Sequence, residues 1–338
     1  MIATIITQNF STNQQRTMIP RLNDSAAVLV QQLLAKSAEL EIAHSQLDNG
    51  VRIIDLGVSV SGSLAAGISL AEICLAAQGH VTLVPGTCDL PGAYTVTVKS
   101  DQPVAACMAS QYAGWQIATD DFFGMGSGPM RAAAGVEQIF KHIGGTESAT
   151  HVIGVIETAS IPTEAACELI TTTCQIEPQN LTLLVAKTSS LAGTVQIVAR
   201  SLETAMHKMH ELGFDLHRIQ RGTGTAPLCP LGKNDLLSIG LTNDAILYGG
   251  EVEVWVCGDD HSLNDIGPKI PSNASKDYGR PFVDIFAQYN NDFYKIDPHL
   301  FSPATIRINN IDTGNTFCFG EINSAILLES FNSALTSD

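Results

Sequence analysis

Four polar side chains recur along one edge of an apolar helical stretch: Gln196, Arg200, Glu203 and His207. At about 100° per residue they fall near one meridian of a helix. An amide, a guanidinium, a carboxylate and an imidazole in a row can hold a water and move its proton. The same spacing has a plainer meaning. An Arg and a Glu three apart on a helix are ordinarily a solvated pair worth a few tenths of a kcal/mol, and Arg before Glu is the less favoured order.

The elements that would position these groups are legible around them. Leu183, Leu184, Val185 and Ala186 form an apolar run that reads as a buried strand. Thr188, Ser189 and Ser190 follow as a turn with N-cap chemistry, and a helix is expected from there to Gly213. Its apolar face is Val195, Val198, Ala199, Leu202, Met206 and Met209.

This segment resembles the signature helix of the methenyltetrahydromethanopterin cyclohydrolases. The likeness lies in SSLAGTVQIVAR followed by Glu203, Ala205, His207 and Lys208. It continues in QYAGWQ with FFGMGSGPMRA, in TNDAILYGG, and in DFYKIDPHLFSPA, so it spans about Ser25 to Asn323. The resemblance implies hydrolysis of the methenyl cation of tetrahydromethanopterin to the N5-formyl compound, served by Arg200 and Glu203. It implies two packed α/β domains with mixed sheets, the pterin in a cleft between them, and a homotrimer. It implies a pterin substrate, no permanently bound cofactor and no metal. Gln111, Tyr112, Ser127 and Pro129 become expected pocket residues, with Asn243 and Asp244 beside them. Asn-Asp is also common in capped turns. Gln196 and His207 are expected to help position the water. A non-catalytic pterin-binding or one-carbon carrier protein with the same cleft is the alternative reading, one that loss of Glu203 would have marked.

Composition agrees with a large packed core and argues against a nucleic-acid partner, but names no positive function. The chain has 338 residues, 45% hydrophobic and only 15% charged, with a net charge of -16. Such a balance argues against nucleic acid or an anionic membrane as partner. No apolar run is long enough to span a bilayer, and the start of the chain lacks the basic segment of a secretion signal. The eight cysteines include no Cys-x-x-Cys and sit mostly in apolar runs, as reduced thiols of a cytoplasmic protein would. His207 and His210 could face one way on the helix, but they are not part of a carboxylate-flanked zincin motif.

Strands alternate with helices along the chain, which predicts an α/β fold. The expected division is an N-terminal extension at 1–22, a first α/β domain at 23–150 and a second at 151–338, with the termini free to cross between them. Asp24 and Ser25 are expected to cap a long helix running to about Leu47. Ser63-Leu64-Ala65-Ala66-Gly67 and Ser190-Leu191-Ala192-Gly193 both follow a strand and open a helix. This echo suggests two α/β halves facing each other, with Ser63 and Ser190 at helix starts where a ligand can rest. The segment at residues 120–132 is expected to be a glycine-rich loop, and residues 217–234 a loop rich in Gly and Pro.

Overall fold

A computed structural model describes residues 21–86 and 94–335. The polar lead and the turn-rich PGTCDLPG stretch therefore lie largely outside the described residues. The first part of the chain gives α1 (Leu22–Ala35), β1 (Ala43–Gln46), β2 (Arg52–Asp55), α2 (Leu64–Cys74), β3 (His80–Pro85) and β4 (Tyr94–Ser100). A π-helix at Val104–Gln111 leads to β5 (Trp115–Ala118), β6 (Phe123–Ser127), α3 (Met130–Ala134), α4 (Ile139–His142) and β7 (Val152–Glu157). Then come α5 (Glu164–Cys174), β8 (Leu181–Ala186), α6 (Leu191–Val198), α7 (Ser201–Glu211) and β9 (Ile219–Pro227). The chain closes with α8 (Asp235–Gly249), β10 (Glu251–Val256), α9 (Asp260–Ile266), α10 (Phe282–Gln288), β11 (Thr305–Asn310), β12 (Thr316–Gly320) and α11 (Ser324–Leu335).

Among the described residues these strands make two mixed sheets of six. The first has the order β1-β2-β8-β7-β6-β5, with β2, β8 and β7 parallel. Helices cover both of its faces. Ala26, Val30, Leu70 and Ile73 pack with Ile54, Leu184 and Val155 on one side. Met130, Ala166 and Ile170 pack with Ile53, Leu183, Val185 and Ile156 on the other. A strand covered on both faces is apolar through its buried part, which is why residues 152–156 of β7 and 183–186 of β8 read as unbroken runs. The second sheet has the order β12-β11-β10-β9-β4-β3, and only β10 and β11 are parallel. Its buried residues Val252, Val254 and Val256 alternate along β10 and join Leu202, Met206, Leu241 and Ala245 in one core. The α/β class with mixed sheets is thus present. The sheets interleave along the chain, since β3 and β4 pair into the second sheet while β7 and β8 complete the first.

Several expectations need correction. The first helix begins at Leu22 and ends at Ala35; residues 43–46 form an exposed edge strand that hairpins into β2. The glycine-rich loop is instead strand β6 followed by α3. The two echoed units do not face each other from separate halves. Their strands β2 and β8 are neighbours in one sheet, and α2 and α6 pack side by side. A Cβ added to Gly67 would lie 2.7 Å from Val195 Cβ and 3.0 Å from Ala192 Cα, so that contact requires a glycine.

The expected single helix over residues 190–213 is two helices. Ala199 and Arg200 interrupt it, and Arg200 (φ -87°, ψ 4°) stands at the head of α7. The break has a spatial reason. Helix α6 packs on α2 beside the first sheet, whereas α7 lies on β9, β10 and β4 of the second. Residues 217–234 were expected to be a loop, yet they contain β9, a nine-residue interior strand of that sheet. Its glycines accept α7 at close range: a Cβ on Gly224 would lie 2.8 Å from Leu202 N and 2.5 Å from Ser201 Oγ. The chain passes from one sheet's layer to the other's at Arg200.

Candidate active site

Arg200 sits where the two layers meet, and elements of both reach it. Its Nε donates to Gln196 Oε1 at 3.0 Å, one helical turn back on α6. Its Nη1 donates to the Gln111 carbonyl at 2.6 Å, and its Nη2 to Ser127 Oγ at 3.2 Å. Nη2 also lies 3.8 Å from the Cys74 sulfur. Gln111 ends the π-helix, so its carbonyl has no partner further along that helix and can face a cation. Arg131 takes two more of those terminal carbonyls, Met108 at 3.0 Å and Ser110 at 3.1 Å. A π-helix end thus holds both guanidinium groups. The Gln111 side chain donates to the Ala199 carbonyl at 3.3 Å, which ties the same helix to the α6–α7 break.

Glu203 occupies the first turn of α7, where the helix dipole favours a carboxylate. It is buried, at 4% exposure. Arg200 Nη1 approaches its Oε2 only to 3.8 Å, beyond hydrogen-bond range. Among the described residues no donor bonds its carboxylate. Arg200 has committed its short contacts to Gln196, Gln111 and Ser127. Its charge acts on Glu203 without occupying the carboxylate's lone pairs. Burial pushes the Glu203 carboxyl up to about 7, against the pull of Arg200 and then Arg131. A carboxyl poised near neutrality can take and return a proton in successive steps.

Tyr112 walls this carboxylate. Its ring stacks on His207 with centroids 4.7 Å apart and 21° between planes, and the Arg131 guanidinium lies 4.9 Å from the ring centroid. Burial, with Glu203 close by, pushes the Tyr112 phenol up to about 12, so it remains protonated at neutral pH. Burial holds His207 below the usual imidazole range. Arg131 is fully buried and paired in bidentate fashion with Glu137, both contacts at 2.8 Å. Those charges offset each other.

The structure therefore gathers Gln111, Tyr112, Ser127, Gln196, Arg200, Glu203 and His207 around one point. It uses the other expected residues differently. Ser63 and Ser190 cap α2 and α6, accepting from Ala66 N at 3.1 Å and Gly193 N at 3.0 Å. The Pro129 carbonyl accepts from Asn23 Nδ2, which joins α3 to α1. Asn243 donates to the Ile239 carbonyl within α8. Asp244 is buried in α8 and accepts from Phe282 N at 2.8 Å and Ser330 Oγ at 2.6 Å, pinning α10 and α11. Neither Asn243 nor Asp244 lies in a capped turn, because both are inside the helix.

Arg131, Cys74 and Glu157 escaped the sequence reading. Arg131 and Cys74 look like core-flanking residues until tertiary contacts are known. Glu157 carried a signal, a lone carboxylate ending the apolar strand VIGVI. The carboxyl ends of parallel strands in α/β sheets are where ligands collect.

A family model described as Cyclohydrolase (MCH) matches residues 21–331. The chain belongs to this cyclohydrolase family. The chain is also similar to proteins named methenyltetrahydromethanopterin cyclohydrolase. One from Methylobacillus flagellatus is 41% identical over 315 residues, covering 93% of this chain and 96% of the relative. One from Xanthobacter autotrophicus is 44% identical over 305 residues, or 90% of each chain. One from Methanococcoides burtonii is 39% identical over 312 residues, covering 92% of this chain and 98% of the relative. Family membership thus extends over both sheets and every residue gathered around Arg200. Among the described residues no helix is long and apolar enough to cross a membrane.

Proposed function

We propose that this protein hydrolyses the methenyl cation of tetrahydromethanopterin reversibly to N5-formyl-tetrahydromethanopterin, with Glu203 handling the proton. The observation that carries the chemical reading is a buried carboxylate near neutrality, beside an arginine that orients it without covering it. The substrate carbon is an amidinium and already electrophilic, so the reaction places its main demand on a base. Water adds to that carbon, and its proton passes to Glu203. The carboxylic acid then protonates the departing nitrogen as the C–N bond breaks. Loss of the hydroxyl proton leaves the formyl group, so one proton is released per turnover. Arg200 is a positioning residue that favours the ionised form of Glu203. Gln196 fixes Arg200, while Tyr112 and His207 wall the pocket. Gln111 and Ser127 complete the proposed substrate side.

The test is an absorbance assay with methenyltetrahydromethanopterin, run with and without exhaustive chelation. Loss of the amidinium absorption at equal rates in both supports the reading. Binding without turnover would favour the carrier alternative, and activity restored only by added Zn²⁺ would overturn the metal-free mechanism. A cytoplasmic homotrimer is part of the same proposal, supported by the family resemblance and by the free thiols of the seven described cysteines. A stable monomer in light scattering at micromolar concentration would refute the assembly.

A further inference from the structure

Glu157 ends β7, and the strand register fixes which way it faces. On the β6–β7 ladder Ser127 is opposite Val155 and Met125 is opposite Glu157. Opposed residues, and residues two apart on one strand, share a face of the sheet. Ser127, Val155 and Glu157 therefore point to the same side. Val155 packs there against the α1–α2 core, and Ser127 Oγ receives Arg200 Nη2 at 3.2 Å. Glu157 thus stands on the Arg200 side of the first sheet, one step beyond the core. Beside it, on β8, is its register partner Ala186. Thr188 follows and donates its hydroxyl to Glu157 Oε1. Thr188 is itself held, because its carbonyl accepts from Thr194 Oγ1 at 3.0 Å. Glu157 is recessed at the strand end yet still reached by solvent. Burial raises its carboxyl above the usual range; Thr188 and then Arg200 oppose that rise.

The charges around this point do not balance. Arg131 is matched by Glu137, and Arg200 by Glu203. Glu157 leaves one negative charge over. Asp235, bound by Ser189 N at 2.9 Å, adds to the negative potential.

We propose that Glu157 is a binding residue that recognises the positive charge of the substrate. This rests on the proposed hydrolysis of an amidinium cation. In that reaction the substrate is cationic at its reacting carbon and the formyl product is neutral there. A carboxylate facing this carbon attracts the substrate and loses its hold once hydrolysis removes the charge. Discrimination between two ligands of nearly equal shape then arises from charge alone.

The experiment measures equilibrium binding of the methenyl cation and of the N5-formyl product. It compares the slow-turnover variant Glu203→Gln with Glu203→Gln/Glu157→Gln. Removing one carboxylate from the side of the pocket that holds the cation is expected to weaken cation binding about ten- to thirty-fold. Product binding is expected to stay within about two-fold. Equal weakening of both ligands would assign Glu157 a structural role, and no change in either would remove it from the site. Both results overturn the inference. If Glu203→Gln alone binds neither ligand, the proposed function itself fails, which is a separate result. Should the Gln variant not fold, Glu157→Asp draws the charge back by one methylene. Part of the preference for cation over product is then expected to be lost, and an unchanged preference refutes the proposal.

Discussion

Glu203→Gln should abolish most turnover while leaving the fold at least as stable at alkaline pH. The carboxyl rises from 4.5 to about 7 because burial disfavours its charged form. Over that interval the folded protein keeps a proton that the unfolded chain has lost. The contribution of this group to stability therefore falls as pH climbs from about 4.5 to about 7, and it stays lost above that. The full cost of ionising such a buried carboxyl is about 3 kcal/mol. Gln keeps the size and carries no charge, so a gain of roughly 1–3 kcal/mol is expected at pH 8, diminishing towards pH 5. Arg200 retains Gln196, Gln111 and Ser127 as partners when the charge is gone. Turnover should fall by about 10²–10⁴-fold as the base is lost. The assays are steady-state hydrolysis and urea unfolding at both pH values. A structural ion pair forecasts the reverse: breaking a buried pair costs about 3–5 kcal/mol and spares the rate. Near-normal turnover with a clear loss of stability would refute the mechanism.

Three further outcomes follow from the same geometry. Arg200→Gln should slow turnover by losing the group that orients Glu203, and the double variant should be little slower than Glu203→Gln alone; independent, additive losses would separate the two residues. In the hydrolysis direction kcat/KM should fall as the pH drops through about 7, where Glu203 takes up its proton, and Arg200→Gln should move that limb to higher pH. A flat profile from pH 5 to 8 would contradict Glu203 as the base. Asp244→Ala should destabilise the fold by about 1–3 kcal/mol, because Phe282 N and Ser330 Oγ lose their acceptor. Its kcat should stay unchanged in folded protein, and a specific loss of kcat would return Asp244 to the site.

The local pattern of the sequence determined the elements whose environment is uniform. Strands β7 and β8 are covered on both faces, so the runs at residues 152–156 and 183–186 are apolar and visible without a fold. The buried face from Val195 to Met209 was likewise written in its spacing, because helical period survives a short interruption. The same persistence hid the break at Ala199 and Arg200. No Pro or Gly marks it, and it arises because α6 packs on α2 beside the first sheet while α7 rests on the second. Strand β9 was hidden for the opposite reason. Its glycines look like a loop and become a strand because α7 needs room above them. Residue types at Arg200 and Glu203 announced an acid–base pair, yet spacing alone fits an exposed salt bridge equally well. Burial between two layers is what sets this pair apart from an exposed one. It leaves Glu203 without a hydrogen-bond donor among the described residues and raises its carboxyl, and those properties belong to no segment by itself. Glu157 shows the same division. Its place at a strand end is local, but the side it faces follows from pairing with β6 and β8, strands that lie elsewhere in the chain.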